Sequence, residues 1–367
     1  MRAVVIDGDA ARVDDQRAVP KLQDNRILVR PVAVALNPTD WRHIRGGRAR
    51  DGCILGCDYA GVVEAVGNAV TKPWKPGDRV FGCGHGANLV NRDDGVFAQI
   101  ASVVGDLQMR IPTRMSFEEA ATLGLGSITV GQGLYQKALK LQLPATDNKR
   151  EKNGIQVLVY GGATATGALA VQFAKLLGAD FVIDYHVADA GEQIRRLTKN
   201  QLRFAWDTVS VAQSASLCAN ALTTSPQLRP VYGSILPIES PREDVNTVST
   251  VMYTAFGNRF KFGTIEMPAS GEDFSFAKHF FHLVENMVTQ GHIRPHRFCL
   301  REGGLSGLIQ GLHELEMGKV RAEKLVYMVE GSRKSRGQIL THAKLRCDGA
   351  VGVGKRLNLC CLTGESR

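Results

Sequence analysis

The chain has 367 residues, 44% of them apolar and 22% charged, a usage that excludes wholesale disorder and a length that allows one large domain or two intimate ones. Net charge is +9, but Arg333 to Arg367 alone hold eight Lys/Arg against Asp348 and Glu365, so the tail is +6 and the body only about +3, which argues against a nucleic-acid surface. No apolar run reaches the roughly 18 residues of a membrane span, and the first ten residues have no signal-peptide core.

In chain order, the first 115 or so residues read as short strands and turns. Arg26 to Leu36 is β-rich and stops at Asn37-Pro38. Gly61 to Gly67 alternates between glycine stops, and Lys75-Pro-Gly-Asp78 is a turn feeding a strand through Phe81. A β-barrel-like unit is expected. At Ser116 the texture changes: Ser116 followed by Glu119 is a capping-box signature ahead of an Ala/Leu-rich stretch. Ile155 to Tyr160 then reads as a buried strand, Gly161 to Gly167 as a glycine-rich turn, and Ala168 to Lys175 as a helix. That order opens a dinucleotide-binding fold. Further strands are predicted at Phe181–Asp184, Phe204–Val209, Val231–Leu236 and Lys324–Val329, with helices at Gly191–Thr198 and Phe276–Gln290. The alternation implies a parallel sheet with right-handed crossovers. The tail beyond shows no period and is expected to be disordered.

A pyrophosphate needs exposed backbone N–H groups at a helix N-terminus and room to approach them. Gly161, Gly162 and Gly167 give the room, and Thr164 and Thr166 offer hydroxyls, although Thr164 stands where the strict fingerprint has its middle glycine. Asp184 lies near the spacing of a carboxylate for the ribose of NAD, but reads better as the end of a strand. In Asn37-Pro-Thr-Asp-Trp-Arg42, Arg42 suits a phosphate and Trp41 a ring; a surface turn with a buried Trp is the alternative. The eight cysteines contain no C-x-x-C pair, which fits a reducing cytoplasm. Cys53, Cys57, Cys83, His43 and His85 match no standard zinc spacing, so core thiols and no metal are expected.

Taken in order, Ala35-Leu-Asn-Pro-Thr-Asp-Trp41, Gly56-Cys-Asp-Tyr-Ala-Gly-Val-Val63, Pro76-Gly-Asp-Arg-Val80, Glu118-Glu-Ala-Ala-Thr-Leu123 and Val159-Tyr-Gly-Gly-Ala-Thr-Ala-Thr-Gly167 follow the medium-chain dehydrogenase/reductase pattern. Asn200 to Asp207 and Glu323-Lys-Leu-Val326 narrow the likeness. The chain resembles the fungal trans-acting enoyl reductases of the lovastatin type over residues 1–331. The resemblance implies an α/β protein with a GroES-like β-rich catalytic domain over 1–122 and a Rossmann doubly wound parallel sheet over 123–257. It further implies a return to the catalytic domain over 258–331, a basic tail over 332–367, and a cleft between the domains. It implies NADPH, no zinc, and an iterative polyketide synthase, or synthase–peptide synthetase hybrid, with its acyl carrier domain as partner of a monomeric enzyme. Asn37 stands where zinc relatives place their first Cys, and Cys57-Asp58 replaces their His-Glu.

Carried over residue by residue, the cofactor positions are Thr39, Asp40, Trp41, Arg42, Ala163, Thr164, Ala165, Thr166, Tyr185, Ser234, Ile235, Val320 and Arg321. The acyl-pocket positions are Ile128, Thr129, Val130, Gly131, Gln132, Gly133, Leu134 and Tyr135, with Met252, Tyr253, Thr254, Ala255 and Phe256. Thr129 is the candidate catalytic residue, a donor to the thioester oxygen. Two departures stand out. Relatives carry a strand, a loop for the 2′-phosphate and most of a helix where Ala174-Lys-Leu-Leu177 here runs straight into Gly178, and they lack the basic tail. The shortened Rossmann sheet is therefore expected either to be left damaged by the missing strand or to close up, with the Phe181–Asp184 strand moving into the gap. A zinc-free quinone or enone reductase, and a non-catalytic protein docking on a synthase, are the alternative functions.

Overall fold

The structure, a computed structural model, describes residues 1–144, 155–176, 179–184, 186–329 and 359–363. It divides into two units. The first comprises Met1–Leu125, Phe256–Lys278 and the described part of Pro295–Lys355; the second comprises Gly126–Ala255, His279–Arg294 and the described part of Arg356–Arg367. The segment expected to return as one block, 258–331, is thus split. Phe280 explains why: its ring packs at 5.8 Å from Tyr135 and 5.6 Å from Phe173, both in the second unit.

In the first unit, β1 (Ala3–Asp7) and β2 (Ala10–Asp14) form a hairpin. β3 (Arg26–Ala35) precedes α1 (Pro38–Arg45) and is followed by β4 (Asp58–Val66), β5 (Arg79–Cys83), β6 (Ala101–Val104) and β7 (Met109–Arg110). With β15 (Phe298–Arg301) and β16 (Lys324–Met328) these strands make a sheet ordered β15-β16-β3-β4-β5-β7, with β6 also on β3. β3 runs through the middle and is buried along most of its length, which is why its sequence is a nearly continuous apolar run. Pro31 cannot donate to the ladder, and the register against β4 shifts between Pro31 and Ala33. Val4, Ile27, Leu55, Tyr59, Phe97, Leu308 and Leu325 share the core. α2 (Phe117–Ala120) starts at the expected capping box: Glu119 N–H donates to Ser116 Oγ at 3.2 Å and Ser116 N–H to Glu119 Oε2 at 2.9 Å.

α3 (Gly124–Val130) carries the chain into the second unit and continues as a π-helical turn, Gly131–Gln136. There follow β8 (Val157–Tyr160), α4 (Ala165–Leu176), β9 (Ala179–Asp184), α5 (Ala190–Leu197), β10 (Phe204–Asp207), α6 (Ala212–Ala221), β11 (Val231–Ser234) and β12 (Asn246–Ser249). A β13–β14 hairpin (Phe260–Phe262, Ile265–Met267), α7 (Gly271–Gln290) and, before β16, α8 (Gly304–Glu316) complete the helices and strands up to 329.

The second sheet has the order β12-β11-β10-β8-β17-β9, where β17 is Leu359–Thr363. β8, β10, β11 and β12 are parallel, in register at Tyr160, Asp207, Ser234 and Ser249. β17 pairs antiparallel with β8 on one side and β9 on the other. Two expectations are corrected here. The tail is not wholly disordered, since five of its residues form a strand. The sheet neither lacks a strand nor closes up: β9 keeps a place one strand away from β8, and a segment more than 170 residues further along the chain fills the position. The unpaired donors and acceptors facing that gap supply the reason.

Candidate active site

The carboxyl edge of the second sheet is built by glycines and hydroxyls. Gly161 follows β8 with φ +83, and a Cβ there would lie 2.6 Å from Thr208 Oγ1; a Cβ on Gly167 would lie 2.1 Å from the Gly161 carbonyl oxygen. These glycines let α4 begin directly against the strand. The Thr164 hydroxyl is not aimed outward as the sequence suggested. It accepts Gly167 N–H at 2.9 Å, capping α4, and meets Thr208 Oγ1 at 3.0 Å, which donates to the Tyr160 carbonyl at 2.8 Å. Ala163, Ala165 and Thr166 surround a helix N-terminus whose first-turn amides have no intrahelical acceptor. The small side chains and positive helix end fit the pyrophosphate of a dinucleotide.

Asp207, which the sequence places inside a strand and at the end of a family motif with no site role, organises the neighbouring loop. It is fully buried. Its Oδ1 accepts Val209 and Ser210 N–H at 2.8 and 2.9 Å; its Oδ2 accepts Ser214 Oγ at 2.5 Å and Tyr232 OH at 2.8 Å. Ser210, held in the left-handed region at φ 58, accepts Ile235 N–H at 3.0 Å, and Ser234 Oγ meets Ser249 Oγ at 2.8 Å. The structure therefore brings Ala163–Thr166, Ser234 and Ile235 to one edge of the sheet. Tyr185 lies outside the described residues. Asp184 is engaged locally, accepting His186 N–H at 3.0 Å and contacting His186 Nδ1 at 2.9 Å, and its strand is not the neighbour of β8.

Thr39, Asp40, Trp41 and Arg42 lie on α1 in the first unit, with Val320 and Arg321 on the connection from α8 to β16. The Arg42 guanidinium sits 5.4 Å from the Trp41 ring centroid. Burial, and then the charge of Arg48, lowers its proton affinity. Arg48, missed in the sequence reading, is thus a second cation facing Arg42; among the described residues Arg42 forms no ion pair.

The two acyl-pocket stretches meet in part. Gln132, 0% exposed, donates through Nε2 to Thr254 Oγ1 at 2.9 Å, and its Oε1 has no partner among the described residues. Thr129 is half-buried on α3. Gly131 and Gly133 permit close packing, since a Cβ would lie 2.7 Å from the Phe280 ring or 2.2 Å from the Trp206 ring. Phe256 belongs instead to the first unit, stacked on His85 at 5.4 Å. A hollow of about 320 Å³ lined by Lys137, Lys140, Arg203 and Phe204 opens at the amino edge of the second sheet, away from the glycine turn.

The positions corresponding to zinc ligands are occupied by groups bound to one another. Asn37 Nδ2 donates to Asp58 Oδ2 at 2.9 Å, and the Lys324 ammonium donates to Asn37 Oδ1 at 3.0 Å and to Asp58 Oδ2. In the sequence Lys324 stands in the motif Glu323-Lys-Leu-Val326 and opens a predicted strand, with no site role; a lone cation opening an otherwise apolar strand is the available signal. Burial holds His43 and His296 down to about 4, and His85 well below its usual range, so all three imidazoles are neutral at pH 7. Burial likewise keeps the Cys83 thiol protonated. Among the described residues no three His, Cys, Asp or Glu side chains are grouped to hold a metal ion.

Residues 23–113 match the alcohol dehydrogenase GroES-like domain. The chain is 41% identical over 353 residues to the trans-enoyl reductase resD of Aspergillus sclerotiorum, covering 88% of this chain and 98% of that protein. The chain belongs to the fungal trans-enoyl reductases. It is also 46% identical over 269 residues to the trans-enoyl reductase TOXD of Cochliobolus carbonum, covering 68% of this chain and 88% of that protein. The fold is that of an alcohol dehydrogenase superfamily protein from Novosphingobium aromaticivorans, with a TM-score of 0.70 at 21% identity, covering 90% of this chain and all of that one. JamJ enoyl reductase matches with a TM-score of 0.66 at 16% identity, covering 89% of this chain and 99% of its own. As a trans-enoyl reductase the protein is an oxidoreductase of the medium-chain dehydrogenase/reductase superfamily and takes a nicotinamide cofactor. No described helix is long and apolar enough to cross a membrane.

Proposed function

We propose that this trans-enoyl reductase uses NADPH to reduce the α,β-double bond of an enoyl thioester presented by the acyl carrier domain of an iterative polyketide synthase or synthase–peptide synthetase hybrid. The observation that carries the reading is kinship with trans-enoyl reductases along nearly their whole length. When bound, the reduced nicotinamide supplies a hydride to the β-carbon, the displaced electron pair passes to the thioester oxygen, and a proton then adds at the α-carbon. The first-turn amides of α4, at Ala165 and Thr166, hold the pyrophosphate. Arg42, half-buried beside Arg48 with no ion pair among the described residues, favours a cofactor with an additional phosphate. Asp184 holds His186 through one oxygen and lies on β9, which is not the neighbour of β8, so it does not stand where a ribose carboxylate would. Thr129 donates to the thioester oxygen as negative charge develops there. Holding the two reactants in line supplies much of the remaining rate.

The assay is cofactor oxidation with a pantetheine-bound enoyl thioester, run with NADPH and with NADH, and a free quinone as competing substrate. Thioester reduction with NADPH is expected. Preference for the quinone, or for NADH, would overturn the substrate or cofactor assignment. Thr129→Val should lower kcat by about 10²-fold, the size seen when one oxyanion donor is removed. Unchanged turnover would remove Thr129 from the mechanism.

A further inference from the structure

Two helices that carry predicted site residues start at one buried ion pair, and nothing in the reaction scheme uses it. Lys324 opens β16 at 4% exposure and Asp58 opens β4 at 0%. One oxygen of Asp58, Oδ2, receives Asn37 Nδ2 and the Lys324 ammonium, which also reaches Asn37 Oδ1. Asn37 is the residue before α1, whose second to fifth residues are Thr39 to Arg42. The other oxygen, Oδ1, accepts Leu125 N–H at 2.5 Å in the first turn of α3, the helix of Thr129. Gly124 is required for that approach: a Cβ there would lie 2.0 Å from the Gly82 carbonyl oxygen and 2.8 Å from Asp58 Oδ1.

Stability alone does not account for such a pair. Desolvating two charges costs as much as, or more than, their attraction returns, and apolar residues of similar volume commonly hold a fold as well or better. A carboxylate does, however, suit a helix N-terminus, and this one accepts a first-turn amide of α3 and, through Asn37 Nδ2, holds the residue before α1. We propose that Asp58 and Lys324 are a positioning pair for the reduction. Within the first unit, Asp58 holds Asn37 at the start of α1, and so the orientation of Thr39–Arg42, and it holds Leu125 N–H at the start of α3, while Lys324 neutralises the carboxylate and locks Asn37 to it. The proposal rests on the enoyl-reductase reading above.

The test compares wild type, Asp58→Asn and the apolar double variant Asp58→Leu/Lys324→Met. Turnover is referred to the concentration of folded, NADPH-binding sites, so that mere loss of folded protein leaves kcat unchanged. The double variant is expected to melt at or above the wild-type midpoint, yet to show kcat for the pantetheine-bound enoyl thioester lowered at least tenfold and the NADPH dissociation constant raised at least tenfold. Asp58→Asn should lower kcat in the same sense, and it decides the matter if the double variant does not fold. Wild-type kcat and wild-type NADPH affinity in the folded variants would overturn the positioning role. Wild-type protein that binds NADPH but leaves the thioester untouched would instead sink the functional reading, and the dissociation constants of the variants would still decide the positioning role.

Discussion

Replacing Asp40 by asparagine should flatten the pH dependence of the first unit's stability. Asp40 is 2% exposed, on α1, and its Oδ2 accepts Asn37 N–H at 2.7 Å. Burial pushes its acid from 3.8 up to about 7; the Asn37 bond opposes this, the Asp58 charge adds to it, and the Lys324 ammonium and the Cys57 thiol oppose it. The folded protein therefore keeps a proton on Asp40 that the unfolded chain has released. Stability from this group is complete below about pH 4, falls by about 1.4 kcal/mol per pH unit, and is gone once pH has risen through about 7. The total is on the order of 4 kcal/mol. Asparagine keeps the acceptor for Asn37 but exchanges no proton, so the difference between wild type and Asp40→Asn should shift by that amount from pH 4 to 8. Urea titration read by amide exchange in β3 and β4 isolates the first unit; fluorescence does not, because Trp41 and Trp74 lie in one unit and Trp206 in the other. Parallel pH profiles for the two proteins would refute a protonated Asp40.

Gly133→Ala would press a methyl against the Trp206 ring at 2.2 Å, and should cost about 1–3 kcal/mol in denaturant titration; an unchanged midpoint would mean that the π-helical turn yields freely. Cys361→Pro would remove a ladder donor at the point where β17 faces Val159 on one side and Val182 on the other. It should speed proteolysis of the second unit and lower its stability by about 1–3 kcal/mol. Wild-type resistance would show that the strand does not hold β8 and β9 together.

Local chemistry in the sequence determined much of this protein. The Ser116/Glu119 box, the apolar run of β3, and the strand–glycine–helix passage expected over Ile155 to Lys175 each depend on neighbours a few residues apart; the first two formed as read, and the third kept its order with α4 starting at Ala165, inside the expected turn. Family likeness was legible for the same reason, since its motifs are short and ordered. What only the tertiary structure decided is set by partners far apart in the chain. The Thr164 hydroxyl turned inward because α4 needed a cap and Thr208, 44 residues away, stood beside it. Lys324 met Asp58 across 266 residues, and Leu359–Thr363 filled the place between β8 and β9. No local pattern encodes such pairings; they follow from the cost of leaving a buried charge or a strand edge without its complement.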